Sequence, residues 1–222
     1  MNDHEIRTIF VEGVESLGLS LSPVQFTQYR SYLSELIRWN QKINLTGLRD
    51  TKKIIVKNFL DAMTPLCHVK PEENAHWMDV GSGGGFPGLV LKIACPQLKM
   101  TLVEPTRKKV SFLHHVVGLL GLQNVFVRDL RIGQLASCEA TRFDLLLSRA
   151  LAPETVLKQA LPLIPVGGRL LFFQARYDVS WWRARLAPYP GLVLERPYIT
   201  RLPFLGDTRS LILIRVSGRE DH

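Results

Sequence analysis

The segment Trp77–Leu91 reads WMDVGSGGGFPGLVL and decides the fold class. It joins a short apolar run to a turn with glycines at positions 81, 83, 84 and 85, and then to a second apolar run that opens with Pro87 and Gly88. Glycines after a strand let the chain turn tightly and let a ligand approach bare backbone at the carboxyl edge of a parallel sheet. The segment therefore predicts a strand, a ligand-binding turn and a helix. A tight turn without a ligand is the alternative at this point.

From Ala75 onward, short apolar runs alternate with helix-length segments, which is typical of βαβ units and a parallel sheet. We predict strands near residues 76–80, 100–104, 125–128, 143–148 and 169–174, with helices near 87–95, 106–120 and 153–163 and a further helix that contains Trp181 and Trp182. Leu192–Leu194 and Leu211–Ile214 are expected to form an antiparallel pair, joined through the turn Pro203–Asp207. The predicted fold is α/β, a doubly wound Rossmann-like mixed sheet with an antiparallel last strand.

The first 65 residues instead show helical spacing of apolar side chains. Ser22–Gln25 has the pattern of a capping box with Pro23 at the first helical position, which predicts the start of the second helix. A third helix is expected to begin near Asp50 and to bury four apolar side chains, those of Ile54, Ile55, Phe59 and Met63. We therefore expect residues 1–70 to form a helical extension packed on a core of residues 71–222.

Length and composition suit one catalytic domain, since the chain has 222 residues and is 46% hydrophobic. Its net charge of +8 favours a polyanionic partner, with plain solubilising charge as the alternative. Three widely spaced cysteines fit neither a disulfide framework nor a zinc site and favour a reducing compartment. Because the chain shows no export signal and no apolar run of about 18 residues, we expect a cytoplasmic protein without a membrane span. Since the cysteine spacing fits no zinc site, we also expect no metal.

Positive charge is densest between residues 30 and 58, a stretch that contains seven basic residues and two acidic ones. Lys52, Lys53 and Lys57 in this stretch are the candidates for contacts with the phosphates of a nucleic acid. A second basic run, Arg107–Lys109, falls in the first turn of its predicted helix, where the helix dipole disfavours cations. The basic residues of this run, Arg107 among them, either contact phosphates or are simply solvated, and the sequence leaves both interpretations open.

An acid downstream of the turn extends the ligand interpretation. Dinucleotide-binding turns follow G-x-G-x-x-G, but Phe86 stands where the third glycine belongs, which argues against a nicotinamide cofactor. Glu104 lies 19 positions after Gly85 at the end of the second strand, where a carboxylate can accept both ribose hydroxyls. A solvated strand-end acid is the alternative. Asp79 either receives an ammonium group through the turn or orients the turn.

Further motifs make the chain recognisable. In order, they are Trp39-Asn40 with Asn44-Leu45-Thr46, then Phe59-Leu60-Asp61, then Asp79–Gly88, and then Phe143-Asp144 with Ser148-Arg149-Ala150. Together, from about residue 24 to about residue 216, they resemble the RsmG (GidB) family of ribosomal RNA methyltransferases. The resemblance implies a class I, S-adenosylmethionine-dependent enzyme that methylates N7 of one guanine in small-subunit (16S) rRNA. Its partner would be that RNA or the small subunit, and a monomer is expected.

The resemblance also assigns residues. Candidate contacts to the methyl donor, from the glycine turn and from the family motifs together, are Asp79, Gly81, Gly83, Gly85, Phe86, Glu104, Ile132, Gly133 and Arg149. Asn44, Arg149 and Arg209 match positions around the reaction crevice. We expect Asn44 and Arg149 to be catalytic residues with orienting roles, and Arg209 to contact RNA. A structural salt bridge with a strand-end acid is the alternative for Arg149.

Three positions depart from the family pattern. Gly133 stands where relatives usually carry an acid beside the adenine, Asn58 where many carry histidine, and Gln174 where lysine is usual. These departures leave two other functions open. One is a methyltransferase for a small molecule or protein, and the other is a non-catalytic RNA-binding or ribosome-assembly factor.

Overall fold

The computed structural model describes residues 1–138 and 142–218, and these contain one mixed sheet of eight strands. The strands are β1 (His76–Val80), β2 (Lys99–Val103), β3 (Val125–Arg128), β4 (Leu145–Ser148), β5 (Arg169–Gln174), β6 (Leu192–Leu194), β7 (Tyr198–Arg201) and β8 (Thr208–Val216). Their order is β3-β2-β1-β4-β5-β8-β6, and β7 also pairs with β8. Strands β1 to β5 run parallel, whereas β8 is antiparallel to β5. The predicted doubly wound sheet and its antiparallel last strand are confirmed.

The strand order reverses at β1, which has β2 on one side and β4 on the other. Val80 at the end of β1 pairs with both Val103 and Ser148, so three strands end at the same level. At such a switch point the segments that leave neighbouring strands diverge and open a crevice at the carboxyl edge. The glycine turn after β1 and the Ser148–Ala150 motif after β4 both lie at this crevice.

Nine α-helices lie within the described residues and cover both faces of the sheet. They are α1 (Asp3–Ser16), α2 (Pro23–Asn40), α3 (Thr51–Ile54), α4 (Asp61–Met63), α5 (Gly88–Ala94), α6 (Arg107–Leu119), α7 (Ile132–Cys138), α8 (Pro153–Ala160) and α9 (Val179–Leu186). A π-helix, Ile55–Leu60, joins α3 to α4. Helices α1 to α6 share one hydrophobic cluster on one face of the sheet, and α7 to α9 share a second cluster on the other.

The N-terminal helices begin where their capping signals predict. The Ser22 hydroxyl accepts the Gln25 N–H at 3.2 Å, and the Gln25 side chain accepts the Ser22 N–H at 3.0 Å. Asp50 caps α3 by accepting the Lys53 N–H at 2.8 Å. The four apolar side chains predicted for this third helix are all buried. The division predicted between residues 70 and 71 stays a prediction, because these helices share their core with α5 and α6.

Two elements were not predicted, α7 and β7. Over residues 132–135 of α7, whose burial the structure describes, Ile132 and Leu135 are the buried apolar positions, and two such positions are too short a pattern to indicate a helix. Strand β7 has four residues, and Ile199 within it is 65% exposed. The antiparallel pairing of β6 with β8 is confirmed, but the Pro203–Asp207 turn joins β7 to β8 rather than β6 to β8. The expected connection was therefore wrong.

Gly88 brings the start of α5 against the sheet. A Cβ atom at this position would lie 2.4 Å from Leu102 Cδ2 and 2.8 Å from Asp79 Oδ2. Without that atom, the Gly88 N–H reaches Asp79 Oδ2 and donates a hydrogen bond at 2.9 Å. The glycine thus allows the helix to approach the end of β1 closely.

We expect Gly88→Ala to lower the free energy of unfolding by about 1–3 kcal/mol, because the added methyl group overpacks a closed site. Gly118→Ala is the matched control, since a Cβ there meets nothing within 4 Å on the exposed side of α6. That variant should gain a few tenths to about 1 kcal/mol from helix propensity. Urea denaturation measures both, and an unchanged stability of Gly88→Ala would contradict the packing argument.

Candidate functional site

The glycine turn after β1 is fixed to the end of β2 by backbone hydrogen bonds. The N–H groups of Gly81 and Ser82 donate to the Val103 carbonyl at 2.9 and 3.1 Å. Gly81 and Gly83 have φ values of +75° and +57°, a region that side chains disfavour. A Cβ at Gly81 would lie 3.1 Å from Leu151 Cγ, so Leu151 lies close over the turn. The two glycines therefore keep their predicted place at the crevice.

The second half of the turn is supported from behind by the N-terminal helices. The Tyr32 hydroxyl donates a hydrogen bond to the Gly84 carbonyl, and a Cβ at Gly85 would lie 2.5 Å from that hydroxyl oxygen. The Phe86 ring stacks on Tyr32 with centroids 5.4 Å apart and meets the edge of Phe59 at 5.2 Å. Gly85 and the Phe86 ring thus face the helices, where they shape the turn.

Glu104 follows β2 and is held by the backbone on both sides. Its Oε2 accepts the Gly83 N–H and its Oε1 accepts the Thr106 N–H, each at 2.9 Å. The residue is only 4% exposed. Each carboxylate oxygen has a further lone pair, so Glu104 can accept two more hydrogen bonds without moving. This preorganised acceptor pair suits the vicinal hydroxyls of a ribose.

Two buried oxygens at the floor of the crevice have no hydrogen-bond partner among the described residues, Asp79 Oδ1 and Ser148 Oγ. They belong to the ends of the neighbouring strands β1 and β4. Burial raises the pKa of Asp79 to about 7, which its hydrogen bond from Gly88 and the nearby Arg149 only partly offset. Because buried polar atoms are normally paired, the two oxygens indicate a place for a polar ligand group. The other oxygen of Asp79 accepts the Gly88 N–H at the start of α5.

A cavity of about 200 Å³ lies beside the turn. Residues from the ends of β1 and β2, from the start of α7 and from α8 line it, namely Val80, Gly81, Val103, Pro105, Leu130, Arg131, Ile132, Leu151, Thr155 and Gln159. Whole ligand sites usually measure roughly 300–1,000 Å³, so this cavity fits one ring system. The predicted pair Ile132-Gly133 lies at this cavity, because Ile132 lines it and a Cβ atom on Gly133 would lie 3.2 Å from Oε1 of the lining residue Gln159.

The predicted crevice arginines meet at one buried acid, Asp61. Arg209 Nε and Nη2 lie 2.6 and 2.8 Å from the two carboxylate oxygens, and Arg149 Nη2 lies 3.1 Å from Asp61 Oδ2. Arg149 also donates to the Lys57 carbonyl. Asp61 is fully buried, whereas the side chains of Arg149 and Arg209 are 21% and 18% exposed. Burial lowers the pKa of Arg149, and the Asp61 charge opposes that shift.

Arg149 is therefore in a salt bridge, as its alternative interpretation supposed, although the acid comes from a helix and not from a strand end. One carboxylate shared by two guanidinium groups leaves one positive charge in excess at the crevice. Asp61 received no functional assignment from the sequence. A signal was available, because Asp61 lies between apolar residues in Phe59-Leu60-Asp61-Ala62-Met63, and an acid that is buried there needs a cationic partner.

Asn40 explains the spacing of the W-N-x-x-x-N-L-T motif. Its Oδ1 accepts the N–H groups of Leu45 and Thr46 at 2.8 and 3.0 Å, and its Nδ2 donates to the Thr46 carbonyl at 2.9 Å. These bonds hold the Asn44–Thr46 segment against the turn, where a Cβ at Gly84 would lie 3.5 Å from Leu45 Cβ. The exposed side chain of Asn44 is thereby placed beside the crevice.

Two of the departures from the family pattern have structural partners. Asn58 Nδ2 donates to the Thr46 hydroxyl at 3.2 Å and so supports the same segment that Asn40 fixes. Gln174 Oε1 accepts the Trp182 indole N–H at 3.1 Å on the opposite face of the sheet. Both residues therefore make defined contacts in place of the residues that relatives carry.

Most of the cations predicted to contact RNA make contacts within the chain. Lys52 Nζ lies 5.4 Å from the centre of the Phe204 ring, and Lys57 Nζ lies 2.9 Å from Asp207 Oδ2. Arg209 belongs to the buried cluster at Asp61. Lys52 and Lys57 thus connect the helix after Asp50 to the turn between β7 and β8.

Arg107 and Lys53 are exposed. The Arg107 side chain is 93% exposed and lies 3.8 Å from Asp129, a distance at which an exposed ion pair contributes little. Helix α6, which begins at Arg107, packs along α2 through a contact of 2.6 Å between His115 and Glu35.

Across the described ranges 1–138 and 142–218, no cluster of three His, Cys, Asp or Glu side chains is arranged to hold a metal ion. Nor does any helix in those ranges have the length and apolarity needed to cross a membrane.

Comparison with known sequences identifies close relatives. The sequence model of the GidB family, described as rRNA small subunit methyltransferase G, matches residues 25–186. A protein of Leuconostoc citreum named ribosomal RNA small subunit methyltransferase G is 39% identical over 213 residues, which cover 92% of this chain and 88% of the relative. Its namesake in Chloroflexus aggregans is 42% identical over 166 residues, covering 73% and 69% of the two chains.

Solved structures share the fold at low sequence identity. A SAM-dependent methyltransferase from Aquifex aeolicus matches with a TM-score of 0.57 and 15% identity, covering 84% of this chain and 97% of that one. TrmN from Thermus thermophilus matches with a TM-score of 0.54 and 18% identity, covering 71% and 48% of the two chains. These likenesses place the sheet among the methyltransferase folds.

We expect Asp61→Asn to lower the free energy of unfolding by about 3–5 kcal/mol, because it leaves two partly buried guanidinium groups without their charge partner. Asp3→Asn is the control, since the ion pair of Asp3 with Arg30 has side chains 70% and 49% exposed. That loss should stay below about 1 kcal/mol. Urea denaturation compares them, and equal losses would show that the Asp61 cluster does not stabilise the fold.

The stability contribution of Asp79 should vary with pH. Its pKa is about 7 in the fold, against 3.8 for an ordinary aspartate. Between these pH values the carboxyl group is protonated in the folded protein and ionised in the unfolded chain. The contribution is complete below about pH 4 and is lost as the pH rises towards 7. Replacing the carboxyl by the amide in Asp79→Asn should therefore make the variant gain stability relative to the wild type, by at least about 1 kcal/mol, between pH 4 and pH 8.

Asp144→Asn is the control for this titration, because Asp144 also accepts a backbone N–H, from His76 at 2.7 Å, but is exposed. Urea denaturation at a series of pH values gives the comparison. Parallel curves for wild type and Asp79→Asn would refute the assignment of the buried proton to Asp79.

Proposed function

The chain belongs to the rRNA small subunit methyltransferase G family, and on this basis we propose that it methylates N7 of one guanine in small-subunit (16S) ribosomal RNA with S-adenosylmethionine as the donor. The observation that carries the proposal is the buried Glu104 carboxylate, which is held by two backbone N–H groups at the carboxyl edge of the sheet, next to a cavity that fits one ring. This pair of features suits a nucleoside.

The residues of the crevice fit the donor group by group. Glu104 would hold the ribose hydroxyls, and the cavity beside Gly81 and Ile132 would hold the adenine. The partnerless oxygens of Asp79 and Ser148 would serve the polar end of the methionine portion. The glycines of the turn would let the donor approach bare backbone.

Bound S-adenosylmethionine supplies an electrophilic methyl group on a sulfonium centre. The chain then has to place the nucleophile, because N7 of guanine has a free lone pair and no proton to remove. Positioning of this kind can lower a barrier by roughly 7–11 kcal/mol. The absence of a need for a general base agrees with the burial of Asp79 and Glu104, whose carboxylates are engaged with backbone N–H groups.

Arg149 and Asn44 take the orienting roles in this proposal. Arg149 is fixed by Asp61 and by the Lys57 carbonyl, so its guanidinium cannot swing freely. The excess positive charge that it shares with Arg209 would attract the RNA backbone to the crevice. Asn44 would contact the presented nucleotide from the segment that Asn40 holds in place. Asp61 acts through the two arginines and is a positioning residue.

A basic ridge, formed by the end of α2 and the start of α6 at Arg107, would bind RNA phosphates beside the crevice. Gln28 of α2 donates to the Leu120 carbonyl after α6 at 3.2 Å, whereas Glu35 near the end of α2 contacts His115. The helices are therefore antiparallel, and the end of α2 lies towards Arg107. Lys53 adds exposed positive charge from the next helix.

The proposed place of action is the cytoplasm, and a monomer stays a prediction.

Small ribosomal subunits from a strain that lacks the protein provide the decisive assay. Incubated with the purified chain and S-adenosylmethionine carrying a labelled methyl group, they should gain about one methyl group per subunit, mapped to N7 of one guanine. Free small-subunit RNA in a parallel reaction shows whether the assembled subunit is needed. Large subunits and small-molecule extracts are the negative substrates.

Gly83→Val is the matched inactive protein. Valine disfavours the left-handed backbone conformation of Gly83, and a change of that conformation would displace the Gly83 N–H that binds Glu104. Label in the extract or in protein would favour the small-molecule or protein methyltransferase. No transfer despite donor binding would favour the non-catalytic assembly factor.

We expect the double variant Lys53→Glu with Arg107→Glu to weaken binding of small-subunit RNA and to flatten its salt dependence. Loss of two phosphate contacts should reduce the slope of log K against log salt by about 2. The control reverses Arg183 and Arg196, which are equally exposed outside the ridge. Filter binding between low and high salt measures both slopes, and identical slopes would exclude this ridge as the RNA surface.

A further inference from the structure

The space next to Gly133 is filled by the side chain of Gln159. A Cβ atom on Gly133 would lie 3.2 Å from Gln159 Oε1 and 3.3 Å from Gln159 Cδ. Gly133 belongs to the start of α7 and Gln159 to the last turn of α8, so the amide reaches across from one helix to the other. The amide group of Gln159 thus lies where a longer side chain at position 133 would extend.

Gln159 is also one of the residues that line the cavity beside the glycine turn. The walls there are mainly apolar, with Val103, Ile132 and Leu151 among them, and the polar side chains that line it are those of Arg131, Thr155 and Gln159. Gln159 is half-buried, and within the described residues its amide makes no hydrogen bond. A ring that enters such a cavity loses water from its polar edge and needs partners there.

A primary amide is complementary to the edge of adenine. It presents one acceptor oxygen and one donor NH₂ side by side, whereas adenine presents a donor amino group next to a ring-nitrogen acceptor. An Asn or Gln amide pairs with adjacent adenine groups in the same bidentate way when proteins read DNA. A carboxylate at this place would only accept, so it could not donate to the ring nitrogen.

We propose that Gln159 is a specificity-determining residue of the donor site, where its amide binds the polar edge of the adenine and takes over the contact for which Gly133 has no side chain. The inference rests on the proposed function, since it presupposes an adenosine-containing donor. It also accounts for the departure at Gly133, because the glycine leaves room for the Gln159 amide.

The test is a cycle of two proteins and two ligands, measured by calorimetry on the full chain. The ligands are S-adenosylhomocysteine and its analogue in which purine without the 6-amino group replaces adenine. Wild type should prefer the adenine ligand by about fivefold to tenfold, as expected for one hydrogen bond. Gln159→Leu should bind the two ligands equally, because its side chain keeps the cavity wall but cannot accept the amino hydrogen.

Gln159→Glu is the conservative variant and should retain a preference for the 6-amino ligand, because the carboxylate still accepts from it. Gln123→Leu, an exposed glutamine away from the cavity, should behave as wild type. Thermal melting of each variant checks that it folds.

Three outcomes overturn the inference. The first is an unchanged preference in Gln159→Leu, the second is an equal loss of affinity for both ligands in that variant, which means a wall contact only, and the third is a wild type that binds the two ligands equally. If wild type binds neither ligand, the proposed function itself fails, and the two failures are thereby distinguished.

Discussion

The buried carboxylate of Asp61 is the interaction on which the rest of the crevice depends. A fully desolvated charge is tolerated only when cations surround it, and Arg149 and Arg209 provide them. The three residues come from α4, from the segment after β4 and from the start of β8. Satisfying one charge therefore fixes a helix of the N-terminal part against two strands of the sheet. It also decides which face of each guanidinium is left for a substrate.

The glycine turn depends on the same N-terminal helices for its shape. Tyr32 holds the Gly84 carbonyl, and Phe86 packs between Tyr32 and Phe59. Because Gly85 has no side chain, α2 can approach the turn closely enough to make these contacts. The helices thus form the wall behind the turn, and the turn owes its conformation to contacts outside the βαβ unit. This explains why Phe86 occupies a position where a dinucleotide-binding turn has glycine.

The departures from the family pattern have local physical explanations. Asn58 supports the segment that carries Asn44, and Gln174 binds an indole on the far side of the sheet. The basic side chains also fall into two groups. Lys52 and Lys57 connect parts of the chain, whereas Lys53 and Arg107 stay exposed. Counting basic residues along the chain cannot separate these two uses, since they differ only in what lies opposite each side chain.

Much of the fold followed from the sequence alone, because it depends on local patterns. Alternating apolar runs indicated the parallel strands, and the Ser22 and Asp50 caps marked helix starts. The turn at Gly81–Gly88 and the acid Glu104 were recognised by spacing along the chain. The short elements α7 and β7 escaped, since four to seven residues carry too little periodicity to be distinguished from a loop.

Which groups meet was decided by the tertiary structure only. Asp61 and Arg209 are 148 positions apart, and no pattern along the chain indicates that they pair. Likewise, no pattern along the chain indicates that the Phe86 ring packs on α2 or that Gly133 leaves room for Gln159. The reason is physical. Periodicity records which side of an element is buried, whereas the partner of a buried charge, ring or amide depends on the closest approach of elements that the chain brings together only when it folds.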